Sequence, residues 1–256
     1  MNRIQTLFQL SGEKVIPFFT AGHPRLVSTA DLVLAAERGG AAMVEVGMPF
    51  SDPLADGPVI QQSSQSALRN GMTTAKLLQQ VKQVRESSEI PIALMGYLNP
   101  ILHYGIQTFV TDARAAGVDG LIIPDLPCEE SEDLVSLCKA QELSLVLLVA
   151  PNTPGKKITR ISQLAQDLIY CVAVLGITGA RLDEADGLVS YMERVQHHSE
   201  SPFVVGFGIK TREDVRKVNR IADGAVVGTS LIEVINSANS PVEAAETYIR
   251  ELGGKE

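Results

Sequence analysis

The stretch that decides the fold is DLVLAAERGGAAMVEVGM, residues 31–48. Its first half, Asp31–Arg38, has apolar residues at helical spacing, and Gly39 and Gly40 follow where a helix would end. Its second half, Met43–Met48, is a short apolar run of the kind that forms a strand buried on both faces. The stretch therefore predicts a helix followed by a buried strand.

The same unit recurs along the chain. Seven other short apolar runs predict strands: Val15–Thr20, Ile92–Tyr97, Gly120–Pro124, Leu145–Ala150, Leu168–Val174, Phe203–Phe207 and Gly224–Gly228. Apolar strands alternating with helices are typical of a parallel sheet. Eight units in 256 residues favour an α/β fold with one domain over residues 1–256, a single (β/α)8 TIM barrel. Leu7 and Leu10 would otherwise lie exposed, so we predict an extra N-terminal helix over Ile4–Leu10 that closes the barrel bottom.

Composition disfavours several classes of partner and compartment. With 22 basic and 30 acidic residues, the net charge of -8 offers no basic surface for nucleic acid or an anionic membrane. No apolar run approaches the roughly 18 residues of a membrane span. Polar side chains within Met1–Leu10 disfavour a signal peptide, so we expect a cytoplasmic chain. Cys128, Cys138 and Cys171 form no CxxC pair, which favours reduced thiols over disulfides or zinc ligands.

Glu45 is the residue of the opening stretch that needs a chemical explanation. Side chains alternate along a strand, so Glu45 faces the barrel interior if Val44, Val46 and Met48 face the helices. A carboxylate is costly to bury, and it is therefore either paired with a cation or used in chemistry. No predicted strand interior supplies an arginine or lysine, but a structural ion pair stays an alternative.

A second carboxylate, Asp56, ends a loop that follows the same strand. In a TIM barrel the catalytic groups lie at the carboxyl ends of strands and on the loops beyond them. Glu45 and Asp56 are thus candidate catalytic residues. The alternative for Asp56 is a plain turn in which its side chain bonds its own backbone.

Glycine-rich segments after three predicted strands suggest a phosphate site. They are Gly176–Gly179 after strand six, Gly206–Gly208 after strand seven and Val227–Thr229 after strand eight. Glycine lets backbone N–H groups approach an anion, and the loops after strands seven and eight are the usual phosphate site of this fold. Each segment alone is equally compatible with a tight turn.

Missing motifs narrow the chemistry further. No lysine falls inside a predicted strand, which disfavours a Schiff base, and the four histidines lack metal-ligand spacing. Neither GxGxxG nor a Walker A sequence occurs, so a dinucleotide or nucleoside triphosphate is not indicated. Carboxylates beside a phosphate site favour proton transfer on a substrate that carries its own electron sink.

Three motifs make the chain resemble the α subunit family of tryptophan synthase. They are Pro17–Gly22, Glu45–Pro58 and Gly206–Gly208, in matching order and spacing. The resemblance covers essentially the whole chain and implies a TIM barrel that cleaves indole-3-glycerol phosphate into indole and glyceraldehyde 3-phosphate. It implies Glu45 as general acid and base and Asp56 as the partner of the indole N–H group.

The resemblance also implies further site residues. Pocket walls would come from Phe18, Met95, Tyr97 and Tyr170. The other substrate-binding positions, most of them around phosphate, would be Thr178, Gly179, Gly206, Phe207, Gly208, Gly228 and Thr229. Two departures stand out: Thr229 replaces a more familiar serine, and Val174-Leu175 makes the loop after strand six unusually apolar.

The family implies a partner as well. This chain would bind no pyridoxal phosphate, which a β subunit would carry in an α2β2 heterotetramer while receiving indole by direct transfer. Contacts and closure would involve Asp52-Pro53, Asn99-Pro100 and residues 174–187. Two alternatives stay open, a stand-alone lyase that releases indole and a non-catalytic barrel that binds a phosphosugar.

Overall fold

The computed structural model describes residues 2–165, 167–172, 186–206 and 208–254. In these ranges eight parallel strands pair in chain order, and the last pairs with the first to close a barrel. The strands are β1 (Val15–Thr20), β2 (Val44–Gly47), β3 (Ile92–Met95), β4 (Gly120–Ile122), β5 (Ser144–Val149), β6 (Ile169–Val172), β7 (Phe203–Gly206) and β8 (Gly224–Val227). The predicted (β/α)8 fold is confirmed.

Twelve α-helices in the described part of the chain accompany the strands. They are α1 (Arg3–Phe8), α2 (Ser28–Gly39), α3 (Pro58–Arg69), α4 (Thr74–Val84), α5 (Leu98–Tyr104), α6 (Ile106–Ala116), α7 (Glu132–Ala140), α8 (Gly155–Ala165), α9 (Asp186–His198), α10 (Arg212–Asn219), α11 (Thr229–Ser237) and α12 (Pro241–Gly253). Local signals fix several ends: the Thr73 side chain caps α4, and left-handed Gly40 ends α2. None of the described helices is long and apolar enough to cross a membrane.

Strand alternation separates two apolar layers. Val44, Val46 and Met48 pack in the outer cluster with the helices, whereas Met43 belongs to the cluster inside the barrel. Glu45 has the same alternation as Met43 and is completely buried. The predicted inward orientation of Glu45 is therefore confirmed.

The N-terminal helix closes the barrel at the amino ends of the strands, as predicted, and Leu7 packs against the inner apolar cluster as expected, but Leu10 does not. The α1 helix ends at Phe8, and Leu10 is 61% exposed, so the burial expected for Leu10 is wrong. Ile4 is instead fully buried in the inner cluster, where Gly120 leaves room for it. The Asn2 side chain joins the helix to β5 by donating to the Ser144 hydroxyl at 2.8 Å.

A buried carboxylate also fastens this end of the barrel. Asp119 directly precedes β4 and is 0% exposed. Its carboxylate accepts from Arg3 at 2.9 Å, from Arg85 at 2.8 Å and from the Ile92 backbone N–H at 2.9 Å. The charge is thus neutralised and hydrogen-bonded at once, the condition under which a buried carboxylate is tolerated.

Candidate active site

Glu45 stands on β2 inside the barrel with no group to neutralise it. Its backbone lies in register with Phe18 on β1 and Ala93 on β3. Both carboxyl oxygens are buried, and no described residue gives either of them a hydrogen bond. Burial raises the pKa of Glu45 from 4.5 to about 8. The structural ion pair considered as an alternative is absent among the described residues, and Glu45 is mostly protonated at neutral pH.

Asp56 lies on the loop between β2 and α3, at the mouth of the barrel. The Asp56 backbone N–H donates to the Pro53 carbonyl at 3.1 Å, so the loop does turn here. The carboxyl group, however, hydrogen-bonds the Tyr97 side chain rather than its own backbone. Burial raises the pKa of Asp56 to about 6, against the lowering effect of Tyr97. Asp56 is therefore mostly ionised at pH 7.

Tyr97 joins the Asp56 loop to the neighbouring strand. It follows β3, and its hydroxyl oxygen accepts from the Ala55 backbone N–H at 2.9 Å while its proton serves Asp56. The Phe50 ring packs on it with centroids 5.4 Å apart. These contacts hold the loop against β3.

Tyr170 lies close enough to both Glu45 and Asp56 to interact electrostatically with each of them. Burial raises the pKa of the Tyr170 hydroxyl well above 10, and the charges of Glu45 and Asp56 raise it further. Its hydroxyl also covers Gly206 so closely that a Cβ atom there would lie 2.4 Å away. Tyr170 therefore lies between the two carboxyl groups and Gly206, one of the glycines of the predicted phosphate site.

An apolar cleft opens beside these groups at the carboxyl ends of β1 to β4. Its lining consists of Phe18, Thr20, Gly47, Met48, Asp56, Ile60, Ser64, Met95, Gly96, Tyr97 and Pro124. Gly47 and Gly96 have no room for a Cβ atom, because the Phe18 ring and the Met48 side chain pack directly against their backbones. Apolar and aromatic walls with one carboxylate suit a largely apolar ligand that carries a polar group.

The opposite side of the barrel mouth carries the described glycines of the predicted phosphate site. Gly228 is the N-cap of α11, and Thr229 is its first residue. The Phe18 ring lies against Gly228, where an added Cβ would be 3.3 Å from Cδ1. Gly208 has φ +39°, a left-handed conformation that favours glycine. A helix N-terminus beside bare backbone is suited to an anion.

Comparisons with known proteins identify the family of the chain. The family model of the tryptophan synthase alpha chain matches residues 4–254. The chain belongs to the tryptophan synthase alpha chain family. Among curated tryptophan synthase alpha chains, that of Prosthecochloris aestuarii is 44% identical over 253 residues, which cover 95% of each chain. That of Chloroflexus aggregans is 43% identical, over 98% of this chain and 97% of the relative.

Solved structures of the tryptophan synthase alpha family share the fold. The alpha subunit from Legionella pneumophila has a TM-score of 0.92 and 34% identity, covering 99% of this chain and 98% of its own. The tryptophan synthase complex from Pyrococcus furiosus contains a chain with a TM-score of 0.87 and 33% identity, covering 94% of this chain and 98% of that chain. The barrel is thus the fold of the tryptophan synthase alpha chain family.

Some predicted site residues of this family member lie outside the described ranges. They are Thr178, Gly179 and Phe207, together with Val174-Leu175 and most of the predicted contact segment 174–187. Conversely, sequence reasoning missed Thr20, Ile60 and Ser64, which line the cleft. Thr20 carried a signal, because it ends a strand on the same face as Phe18. The described residues hold no group of three histidine, cysteine, aspartate or glutamate side chains placed to bind a metal.

Proposed function

We propose that this chain cleaves indole-3-glycerol phosphate into indole and glyceraldehyde 3-phosphate, the lyase step before L-tryptophan is made. The observation that carries the proposal is Glu45, a fully buried carboxyl group without a partner among the described residues. An unpaired buried carboxyl costs stability, and a proton-transfer role explains why it is kept. Family membership supports the identity of the substrate.

Glu45 is suited to act first as an acid. With a pKa of about 8, it carries a proton at neutral pH that it can donate to C3 of the indole ring. Protonation turns the ring into an iminium, an electron sink. The Glu45 carboxylate then removes the proton of the glycerol hydroxyl next to the ring, the carbon–carbon bond breaks, its electrons restore the indole, and an aldehyde forms. Glu45 ends the cycle protonated, as it began.

Asp56 is suited to the opposite role. With a pKa of about 6 it is ionised at pH 7, so it can accept a hydrogen bond from the indole N–H and stabilise the positive charge that develops there. Two carboxyl groups with different surroundings thus supply an acid and an anion at the same pH. Phe18, Met95, Tyr97 and Tyr170 would hold the ring and the glycerol between them.

The phosphate group would lie at the start of α11. Gly206, Gly208 and Gly228 would expose backbone groups to it, and Thr229 would add a hydroxyl. The family resemblance implies that Phe207, Thr178 and Gly179 also take part in binding the substrate around its phosphate group.

We further propose that the chain works in an α2β2 complex with a tryptophan synthase β subunit, which carries pyridoxal phosphate and takes over the indole, while this chain needs no cofactor. A related structure concerns mutual activation of the tryptophan synthase a2b2 complex of Pyrococcus furiosus. Leu54 and Leu102, beside Asp52-Pro53 and Asn99-Pro100, are 93% and 52% exposed, which suits contact with a partner. Residues 174–187 are proposed to take part. The three free cysteines fit a cytoplasmic location.

The test is indole release from indole-3-glycerol phosphate by the wild type and by Glu45→Gln, each with and without a β subunit. We expect slow wild-type turnover that rises with the partner, and a loss of about 10²- to 10⁴-fold in the variant. Equal wild-type turnover with and without the partner would instead favour the stand-alone lyase. No turnover in either case would leave a phosphosugar-binding barrel.

A further inference from the structure

A pair of buried hydroxyl groups joins β1 to α3 beside the cleft. The oxygen atoms of Thr20 and Ser63 lie 2.6 Å apart, and each residue is 1% exposed. Ser63 donates its proton to the Ile60 carbonyl oxygen at 2.8 Å. Because a hydroxyl group has a single proton, Thr20 is the donor to Ser63. The result is a directed hydrogen-bond chain from the strand, through Ser63, to the first turn of the helix.

The helix end of this chain fixes the backbone of Asp56. The N-cap of α3, Gly57, directly follows Asp56 and has no side chain to cap the helix. The Gln61 side chain donates to the Asp56 carbonyl oxygen at 2.9 Å, and the Gln61 N–H donates to the Gly57 carbonyl at 2.9 Å. These two hydrogen bonds couple the position of the Asp56 backbone to the position of the first turn of α3.

The strand end of the chain belongs to the frame that holds Glu45. In the β1–β2 ladder, Phe18 is level with Glu45 and Thr20 is level with Gly47. Thr20 is therefore the next residue of β1 on the same face, beyond the one beside Glu45. The Thr20–Ser63 pair connects the strands around Glu45 with the helix that holds Asp56.

We propose that Ser63, held by Thr20, is a positioning residue that sets where the Asp56 carboxylate stands relative to Glu45. The inference rests on the proposed function, in which both carboxylates act on one substrate. A displacement of about 1 Å in a reacting arrangement can cost up to 10²-fold in rate. A hydrogen bond between two buried hydroxyl groups resists such a displacement, because breaking it leaves polar atoms unsatisfied.

The variants are Ser63→Ala, Thr20→Val, their combination, and Thr20→Ser, which keeps the hydroxyl. Ser162→Ala is the matched control, because it removes a buried hydroxyl that lies 3.1 Å from the Ser201 hydroxyl between α8 and β7. We expect kcat for indole release to fall about tenfold in Ser63→Ala and in Thr20→Val, with KM within about twofold. The double variant should lose no more than either single one, and Thr20→Ser should lie closer to the wild type than Thr20→Val.

A second comparison separates positioning from general destabilisation. If Ser63 acts through Asp56, the factor by which Asp56→Asn lowers kcat should be about tenfold smaller in the Ser63→Ala background than in the wild type or in Ser162→Ala. An unchanged Asp56→Asn factor in all three backgrounds would overturn the inference, even if Ser63→Ala lowers kcat.

Amide hydrogen exchange of residues 55–61 provides a measurement that does not need turnover. We expect exchange to be at least about threefold faster in Ser63→Ala and Thr20→Val and unchanged in Ser162→Ala. Wild-type exchange and wild-type kcat in both variants would overturn the inference while leaving the lyase function intact. A wild-type chain that releases no indole would reject the proposed function, and exchange would then decide whether the hydroxyl pair holds the Asp56 loop.

Discussion

The barrel buries two carboxyl groups completely, Asp119 at its amino end and Glu45 in its interior, and their surroundings are opposite. At the amino end, Asp119 accepts hydrogen bonds from Arg3, Arg85 and the Ile92 backbone. Inside the barrel, on β2, Glu45 has no such partner among the described residues. Both residues are 0% exposed, so burial alone does not distinguish them.

The difference shows which carboxylate serves the fold and which serves the chemistry. A buried charge with two cations and an amide is satisfied, and removing it leaves the cations unpaired. A buried carboxyl without partners avoids the cost by holding its proton to higher pH, which makes it an acid at neutral pH. One acidic side chain thus fastens the amino end of the barrel, and the other supplies a reactive group in the barrel interior.

The largest effect on stability is expected from Asp119→Ala. The substitution leaves Arg85, whose side chain is only 10% exposed, without its carboxylate, and we expect a loss of about 3–5 kcal/mol in the free energy of unfolding. Urea denaturation measures it. Glu89→Ala is the control, since this partner of Arg3 is 79% exposed and should matter little. A loss under about 1 kcal/mol for Asp119→Ala would mean that Asp119 does not stabilise the fold in the way that distinguishes it from Glu45.

Glu45→Gln is expected to alter how stability depends on pH. The unfolded wild type releases the Glu45 proton near pH 4.5, but the folded chain keeps it to about pH 8. Between these values the folded state binds more protons, so wild-type stability falls as pH rises. Glu45→Gln lacks this titrating group. Its free energy of unfolding, relative to that of the wild type, should therefore rise by on the order of 4 kcal/mol between about pH 4.5 and pH 8 and stay constant above that range.

Urea denaturation of both chains between pH 5 and pH 9 tests this, at about one-unit intervals. A stability difference that does not change with pH would mean that Glu45 titrates at the same pH in the folded and unfolded chains.

A smaller effect is expected from Arg3→Ala. Arg3 is 30% exposed and shares Asp119 with Arg85, so Asp119 keeps one cation and the Ile92 N–H when Arg3 is removed. We expect a loss of about 1–2 kcal/mol in the free energy of unfolding, measured in urea. A loss equal to that of Asp119→Ala would show that α1, rather than the paired charge, carries the stability of this end.

The smallest effect is expected from Tyr97→Phe, which acts on the second carboxylate of the site. The Tyr97 hydroxyl lowers the pKa of Asp56, so its removal should raise that pKa and shift the acid limb of the pH–rate profile to higher pH. At pH 7 the activity should fall only a few-fold. Tyr104→Phe, which breaks a similar hydrogen bond to Asp112, should leave the profile unchanged.

The contrast also shows what can be predicted from sequence. The barrel could be predicted from the sequence, because its strands are local apolar runs and its helices show a local periodicity of apolar residues. Glu45 could be identified as well, since a charge inside an apolar run is visible within six residues, Met43–Met48.

Asp119 could not be identified in this way, because its partners Arg3 and Arg85 are 116 and 34 residues away along the chain. The same reason explains the error at Leu10: Ile4 is buried because Gly120 leaves space beneath the barrel, a contact that local hydrophobicity does not encode. Ile60 and Ser64 lie on α3, and only the closed barrel shows that this helix borders the cleft.

The protonation state of Glu45 can be measured by an NMR titration of its carboxyl carbon in protein labelled with ¹³C-glutamate, with Glu45→Gln to assign the signal. We expect a pKa near 8 and a signal that titrates apart from those of the exposed glutamates. A pKa near 4.5 would mean that Glu45 is ionised at neutral pH, and it would contradict the claim that burial without a partner makes this residue the acid.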